Sequence, residues 1–284
     1  MKRRILLALG LTAVIAPLDL LGYPAQAQKA KERPKAGKAL NIRWLGHTCF
    51  LFSSPEAIIL VNPFKPSGCT AGYRRPSVGS DLVLLSSRLM DEGSLEVVPG
   101  NPKVLFEPGI YDVDNLKFQG VRTFHDQKQG LRYGVNVAWS WQQAGIKIVH
   151  LGGIASPLTA EQKILLGTPD ILLVPVGGGE KAYGPEAAKQ AVSELNPRIV
   201  IPTHFRTQAA DETCTLVGME DFVKSFPAGD VQIYGSDQAS FIASNIPKTG
   251  TLVRVFTYRG YGTDAKEAPK KGAPKKKTSR KPKN

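Results

Sequence analysis

ILLVPVGGGEKAYGPEAAKQAVSELNPRIVIPTH, residues 171–204, reads as strand, glycine turn, helix and strand in succession. Ile171 to Val176 and Ile199 to Pro202 are apolar strands, and the residues between them form a helix from Pro185 to Leu195. Pro185 suits a first helical turn, where its missing N–H is not needed. Ala188, Ala191, Val192 and Leu195 recur at spacings of three and four, which makes one apolar stripe facing a sheet.

Upstream, short β-type runs follow one another: Leu40 to Leu45, Cys49 to Phe52, Ala57 to Val61, Leu82 to Leu85 and Val104 to Phe106. Val135, Val137 and Trp139 alternate with Asn136 and Ala138, as a strand with one buried face requires. Gln142 to Gly145 then turns the chain into Ile146 to Val149, closing a hairpin. Antiparallel strands first and β-α-β units later describe an α/β protein with mixed sheets.

The formal charge of +13 suggests a nucleic-acid binder until it is divided along the chain. Residues 1–27 carry +2, residues 28–38 carry +4 and residues 265–284 carry +8, which leaves about −1 for the body between them. Nucleic acid is therefore an unfavoured partner, because the basicity sits in flanks too rich in Lys, Pro, Ala and Gly to bury a core. Residues 1–27 read as a secretory signal: Lys2 to Arg4, an apolar run from Ile5 to Ile15, and Ala25-Gln26-Ala27 as a cleavage site. Pro17 and Asp19 interrupt that run short of a membrane span, so the mature chain is expected to carry no transmembrane helix. The expected organisation is signal peptide 1–27, basic linker 28–38, one domain 39–264 and a lysine-rich tail 265–284. The protein is expected in a periplasmic or other extracytoplasmic compartment, where the tail meets an anionic surface or simply keeps the chain soluble. Cys49, Cys69 and Cys214 allow at most one disulfide and one free thiol; Cys49 with Cys69 is the pair nearest in sequence, and three buried unpaired cysteines are the alternative.

Four segments in order resemble the metallo-β-lactamase superfamily, and within it the branch of small hydrolases that includes ascorbate-6-phosphate lactonase-like proteins. They are Trp44 to Phe50, the strand ending Asn62-Pro63-Phe64, His150 to Gly153, and the run from Pro175-Val176-Gly177-Gly178 to Ile201-Pro202-Thr203-His204. The resemblance covers about residues 40–258 and implies an αββα sandwich of mixed sheets with its site at one edge of the two sheets. It also implies a His-x-His-x-Asp-His loop after a short strand, gripping two zinc ions that activate water.

Here that loop is Ser86 to Glu92. Ser87 and Leu89 stand at the first two histidine positions and Glu92 at the third; only Asp91 matches. A leucine has no lone pair and a neutral serine hydroxyl is a poor zinc ligand, so the first metal site retains at most His125. Gly153 replaces the aspartate that bridges the ions, and Asn62 stands where many relatives have a carboxylate. Asp91, Glu92 and His204 still make a partial second site, with His125 beside it as ligand or general base. The cofactor expectation is none, or one weakly bound divalent metal, zinc or manganese. His47 and His150 are expected to be hydrogen-bonded structural residues. Cys49 is expected to be a buried thiol rather than a nucleophile, and Gly177 to Gly179 to line the cleft.

Three functions fit these residues. One is an exported hydrolase-like protein without two-zinc catalysis, binding a small-molecule or envelope ligand in the old cleft. The second is a mononuclear hydrolase of a small ester, lactone or phosphoester built on Asp91, Glu92 and His204. The third is a surface tether whose function lies in the tail.

Overall fold

A computed structural model describes residues 39–260; the signal, the basic linker and the lysine-rich tail read from the sequence lie outside the described residues. In chain order the strands are β1 (Ala39–Gly46), β2 (Cys49–Ser54), β3 (Ala57–Val61), β4 (Leu82–Leu84), β5 (Lys103–Leu105), β6 (Gly109–Val113) and β7 (Leu116–Phe124). There follow β8 (Val135–Gln143), β9 (Ile146–His150), β10 (Ile171–Pro175), β11 (Ile199–Thr203), β12 (Val231–Ile233), β13 (Gln238–Ile242) and β14 (Leu252–Val255). Helices α1 (Ala160–Leu166), α2 (Pro185–Leu195) and α3 (Glu220–Val223) complete the set.

Two mixed sheets result, as the αββα expectation requires. The first has the order β13-β1-β2-β3-β4-β5 and the second β12-β14-β11-β10-β9-β8-β7-β6. Their inner faces meet in one core, where Phe52 of β2 packs edge-on against Trp141 of β8 with ring centroids 5.0 Å apart. The indole N–H of Trp139 donates to the carbonyl of Leu85 across the same layer, at 2.9 Å. α2 spans the residues expected of it, buries Ala188, Ala191, Val192 and Leu195, and ends on Asn196 in the left-handed region. It packs on β10, and α1 on β7.

β8 departs from the half-buried strand expected of it. Asn136, Ala138 and Ser140 are buried along with Val137, Trp139 and Trp141. The polar face is tolerated because it is hydrogen-bonded: the Asn136 amide donates to Leu151 O at 2.8 Å and to Thr123 Oγ1 at 2.6 Å, and its Oδ1 accepts from Gly153 N–H. The cysteine pair nearest in sequence does not form. Cys69 is bonded to Cys214, 145 residues on, and Cys49 is a free buried thiol. Cys49 lies in β2 with its side chain in the core.

The topology also selects the site. β3, β4 and β5 run parallel, as do β9, β10, β11 and β14. The segments leaving the carboxyl ends of β4, β9, β10 and β11 are Leu85–Glu92, Leu151–Ile154, Val176–Gly184 and the one beginning at His204. Open α/β sheets bind ligands at that end of their strands.

Candidate functional site

Two histidines are forced into a conformation that non-glycine residues avoid. His47, in the tight turn between β1 and β2, has φ +54°, and His204, just past β11, has φ +51°. Such backbone persists where the surroundings over-determine it, typically at functional sites. The two rings meet edge to face with centroids 4.1 Å apart. Gly177 explains part of the placement, since a Cβ there would lie 2.2 Å from the His204 carbonyl.

Asp91 joins them. One ligand atom from each of His47, Asp91 and His204 lies within 4.8 Å of the others. Both ring nitrogens of His47 and Nδ1 of His204 are buried without a hydrogen-bond partner in the protein. Burial pushes the pKa of both histidines down, that of His204 well below its usual value. Burial would push Asp91 upward, but His47 and Lys181 outweigh it and hold the carboxyl lower than usual. Neutral imidazoles and an ionised carboxylate are the forms that ligate a metal. The residues therefore fit a single divalent ion with three protein donors, a set used by catalytic zinc.

Glu92 and His125 form a separate pair beside this cluster. Glu92 is fully buried; its Oε2 lies 3.0 Å from His125 Nε2 and its Oε1 3.6 Å from His204 Nδ1. The Ser87 hydroxyl donates to the same carboxylate at 3.2 Å. His125 Nδ1 faces the Lys181 carbonyl at 3.1 Å and must be the donor there. Burial opposes a charge on His125, but Glu92 prevails and raises its pKa. His125 thus turns its Nε2 to Glu92, within ion-pair distance, and is not one of the three clustered donors. The Leu89 side chain offers no donor to either group, although its carbonyl accepts from Glu92 N–H at 3.0 Å.

Gly153 shows why Glu92 can lie where it does. A Cβ at 153 would meet His125 Cε1 at 2.3 Å and Glu92 Oε1 at 2.6 Å. The Glu92 carboxylate fills the space that an aspartate at 153 would enter. Asn62 is also more than a lost carboxylate. Itself left-handed, it accepts from Ser86 N–H and donates to Ser86 Oγ, which pins the start of the Ser86–Glu92 loop.

Lys181, between β10 and α2, closes the site on the remaining side. Its ammonium donates to Asp91 Oδ2 at 2.6 Å. Burial would lower its pKa, yet Asp91 outweighs this and the net shift is upward. Its neighbour Glu180 is held by Arg132 and the Tyr133 hydroxyl, which fixes the loop.

His150 stands apart from the centre. Its Nδ1 accepts from Gly152 N–H and its Nε2–H donates to Thr48 O. Burial takes its pKa down to about 4. Because the folded value is below the unfolded one, the neutral ring stabilises the fold above about pH 6.5, and that contribution is lost as the pH falls toward 4. The loss expected is on the order of 3 kcal/mol. Urea unfolding at pH 7.5 and pH 4.5 should show it, with a smaller pH dependence in His150→Gln; an unchanged dependence would count against this origin. Burial also pushes the Cys49 thiol pKa well up, which leaves no thiolate for nucleophilic chemistry.

Of the residues marked in the sequence, the structure brings Asp91 and His204 together and pairs Glu92 with His125. It adds His47, expected to be structural, and Lys181, which carried no signal beyond its Gly-rich neighbourhood. The one trace of His47 was its place in a Gly-His turn between two strands of the motif.

A family model described as "Beta-lactamase superfamily domain" matches residues 41–204. A "UPF0173 metal-dependent hydrolase" of Thermococcus onnurineus is 26% identical over 194 residues, 59% of this chain and 85% of the relative. A protein of the same description from Thermoplasma acidophilum is 26% identical over 190 residues, 59% of this chain and 84% of its own length. Among solved structures, one from Thermotoga maritima assigned to the Zn-dependent hydrolases of the metallo-beta-lactamase superfamily superposes with a TM-score of 0.61 at 29% identity. That match covers 77% of this chain and 100% of the other.

Proposed function

From the premise that this chain belongs to the β-lactamase superfamily of metal-dependent hydrolases, we propose that it is a mononuclear hydrolase of a small ester, lactone or phosphoester, centred on His47, Asp91 and His204. The observation that carries the reading is the pair of strained, buried imidazoles with unpartnered nitrogens facing one ionised carboxylate. A divalent ion held by these three would act as a Lewis acid on the scissile carbonyl or phosphoryl group. The rest of the work belongs to side chains already in place. Glu92, paired with His125, lies beside His204 at 3.6 Å, Asn62 and Ser87 fix the loop that presents Asp91, and Gly177 lets the His204 backbone approach β10. With Ser87, Leu89 and Gly153 in place of family ligands, the proposal allows one ion rather than two.

The test is metal content of the mature protein after chelator treatment and titration with zinc and manganese, together with turnover of a panel of small esters, lactones and phosphoesters. One ion per chain with metal-dependent turnover is expected; two ions per chain, or none, would sink the reading.

Lys181 makes a sharper demand. Its ammonium holds the carboxylate oxygen that the ion would use, so the two cations compete for Asp91. Lys181→Met is expected to tighten metal binding roughly tenfold, the equivalent of ~1.4 kcal/mol, a value kept modest because the lysine is one-third exposed and screened. Isothermal titration at constant pH measures it, and equal or weaker binding would remove the competition.

The same proposal puts the chain outside the cytoplasm, with an anionic envelope surface as partner of the lysine-rich tail. The reading is supported by the basic-then-apolar amino terminus and by the Cys69–Cys214 bridge, which is characteristic of an oxidising compartment. Among the described residues, no helix is long and apolar enough to cross a membrane.

A further inference from the structure

Beside the three-donor cluster, a cleft of about 780 Å³ opens where the edges of the two sheets meet. Its floor is Val137 of β8, whose N–H donates to the Ser86 carbonyl and so joins the sheets at that point. Ser87 and Arg88 form one wall, Phe106 another, and Arg122 of β7 a third. Arg122 is paired in register with Val137, which sets both side chains on the same face of the sheet. The volume is that of a small-molecule pocket, and the apolar Phe106 and Val137 alternate with groups that would fix a polar end.

Arg88 lies over the Phe106 ring with its guanidinium carbon 4.2 Å from the centroid, which holds the side chain against the wall. Among the described residues, neither Arg88 nor Arg122 has a carboxylate within ion-pair distance, although Glu107 lines the same cleft. Arg43 and Arg132, by contrast, are paired with Asp237 and Glu180. Ser87, which lines the cleft, also donates to Glu92. It opens at Ser87 and Leu89, the positions from which the family's first two histidines are missing, so positive charge here comes from guanidinium groups on the protein.

We propose that this cleft is an oxyanion subsite, in which Arg88 and Arg122 bind the anionic end of the ligand while Phe106 and Val137 pack against its apolar part. A phosphate monoester is favoured over a carboxylate, since two guanidinium groups match a dianion and can each make paired hydrogen bonds to it. The inference rests on the hydrolase reading only in calling that ligand a substrate; the binding itself does not require a metal.

The experiment is calorimetric titration of the full mature chain, stripped with chelator and kept metal-free, with phenyl phosphate, benzoate and benzyl alcohol. Phenyl phosphate is expected to bind, benzoate more weakly by the same residues, and benzyl alcohol not measurably. Arg88→Gln and Arg122→Gln should each weaken phenyl phosphate binding about tenfold and the double variant about a hundredfold. Both side chains are exposed, so these variants should fold, and circular dichroism checks that they do. Arg43→Gln, on the outer face of β1, should leave binding unchanged. Binding that survives the double variant, or that benzyl alcohol matches, or that is absent from the wild type, would overturn the subsite. The same titration on His204→Asn separates the two ideas. Binding retained there supports the subsite whatever becomes of the metal reading, whereas binding lost there but kept in the arginine variants would place the anion at the cluster and refute the subsite.

Discussion

Gly153→Asp, which puts back the family's bridging carboxylate, is expected to destabilise the fold by on the order of 4 kcal/mol rather than to restore a second metal. The Cβ alone would stand 2.3 Å from His125 Cε1 and 2.6 Å from Glu92 Oε1, both on buried side chains. Overpacking of that kind costs about 1–3 kcal/mol. The added carboxylate would also be buried beside that of Glu92, and an uncompensated buried charge costs about 3–5 kcal/mol before the site relaxes. Equilibrium urea unfolding measures the change. The informative companion is Gly153→Asp with Glu92→His, which removes the clash with the carboxylate and returns a nitrogen ligand. If the double variant is no more stable than Gly153→Asp alone, then Glu92 and Gly153 are not the interlocked pair described above.

The second large effect concerns the cluster. Asp91→Ala and His204→Asn are each expected to weaken metal binding by at least roughly 100-fold, since even groups that only orient ligands contribute 10–100-fold. Hydrolysis should fall in parallel. Asparagine is chosen at 204 because it tolerates the left-handed backbone that His204 adopts, whereas alanine would add strain of its own. His47→Asn serves the same purpose at the other strained position. Turnover that persists at wild-type level in all three, with metal content unchanged, would show that chemistry resides elsewhere.

How much of this was legible in the sequence depends on whether a signal is local. α2, β10 and β11 could be read because apolar runs and a three-and-four spacing are properties of neighbouring residues. β6, β7 and β12 to β14 gave no such signal. β7 mixes Lys117, Gln119, Gly120 and Arg122 with its apolar residues, and β12 leaves Gln232 and Ile233 exposed. The ligand losses at Ser87, Leu89 and Gly153 were visible as three separate substitutions. That Glu92 and Gly153 compensate one another was not, because it arises only when β9 and the loop after β4 are brought together. His47 was hidden for a related reason: its ring reaches His204 through a left-handed turn and the pairing of two sheets, and nothing in Gly46-His47-Thr48 specifies that. The disulfide shows the same limit, since proximity in sequence favoured Cys49 and proximity in space chose Cys214.

That bridge has a consequence for how the molecule ages. Cys69 and Cys214 bracket Asp91, Glu92, His125, Gly153, Lys181 and His204, so all of the centre except His47 sits on a closed ring of backbone. A protease that cuts once inside the ring opens it without releasing a fragment, and the two pieces remain one covalent molecule. A nick in an exposed loop such as Gln127 to Arg132 would be a scar rather than a loss, visible only when the sample is reduced before electrophoresis.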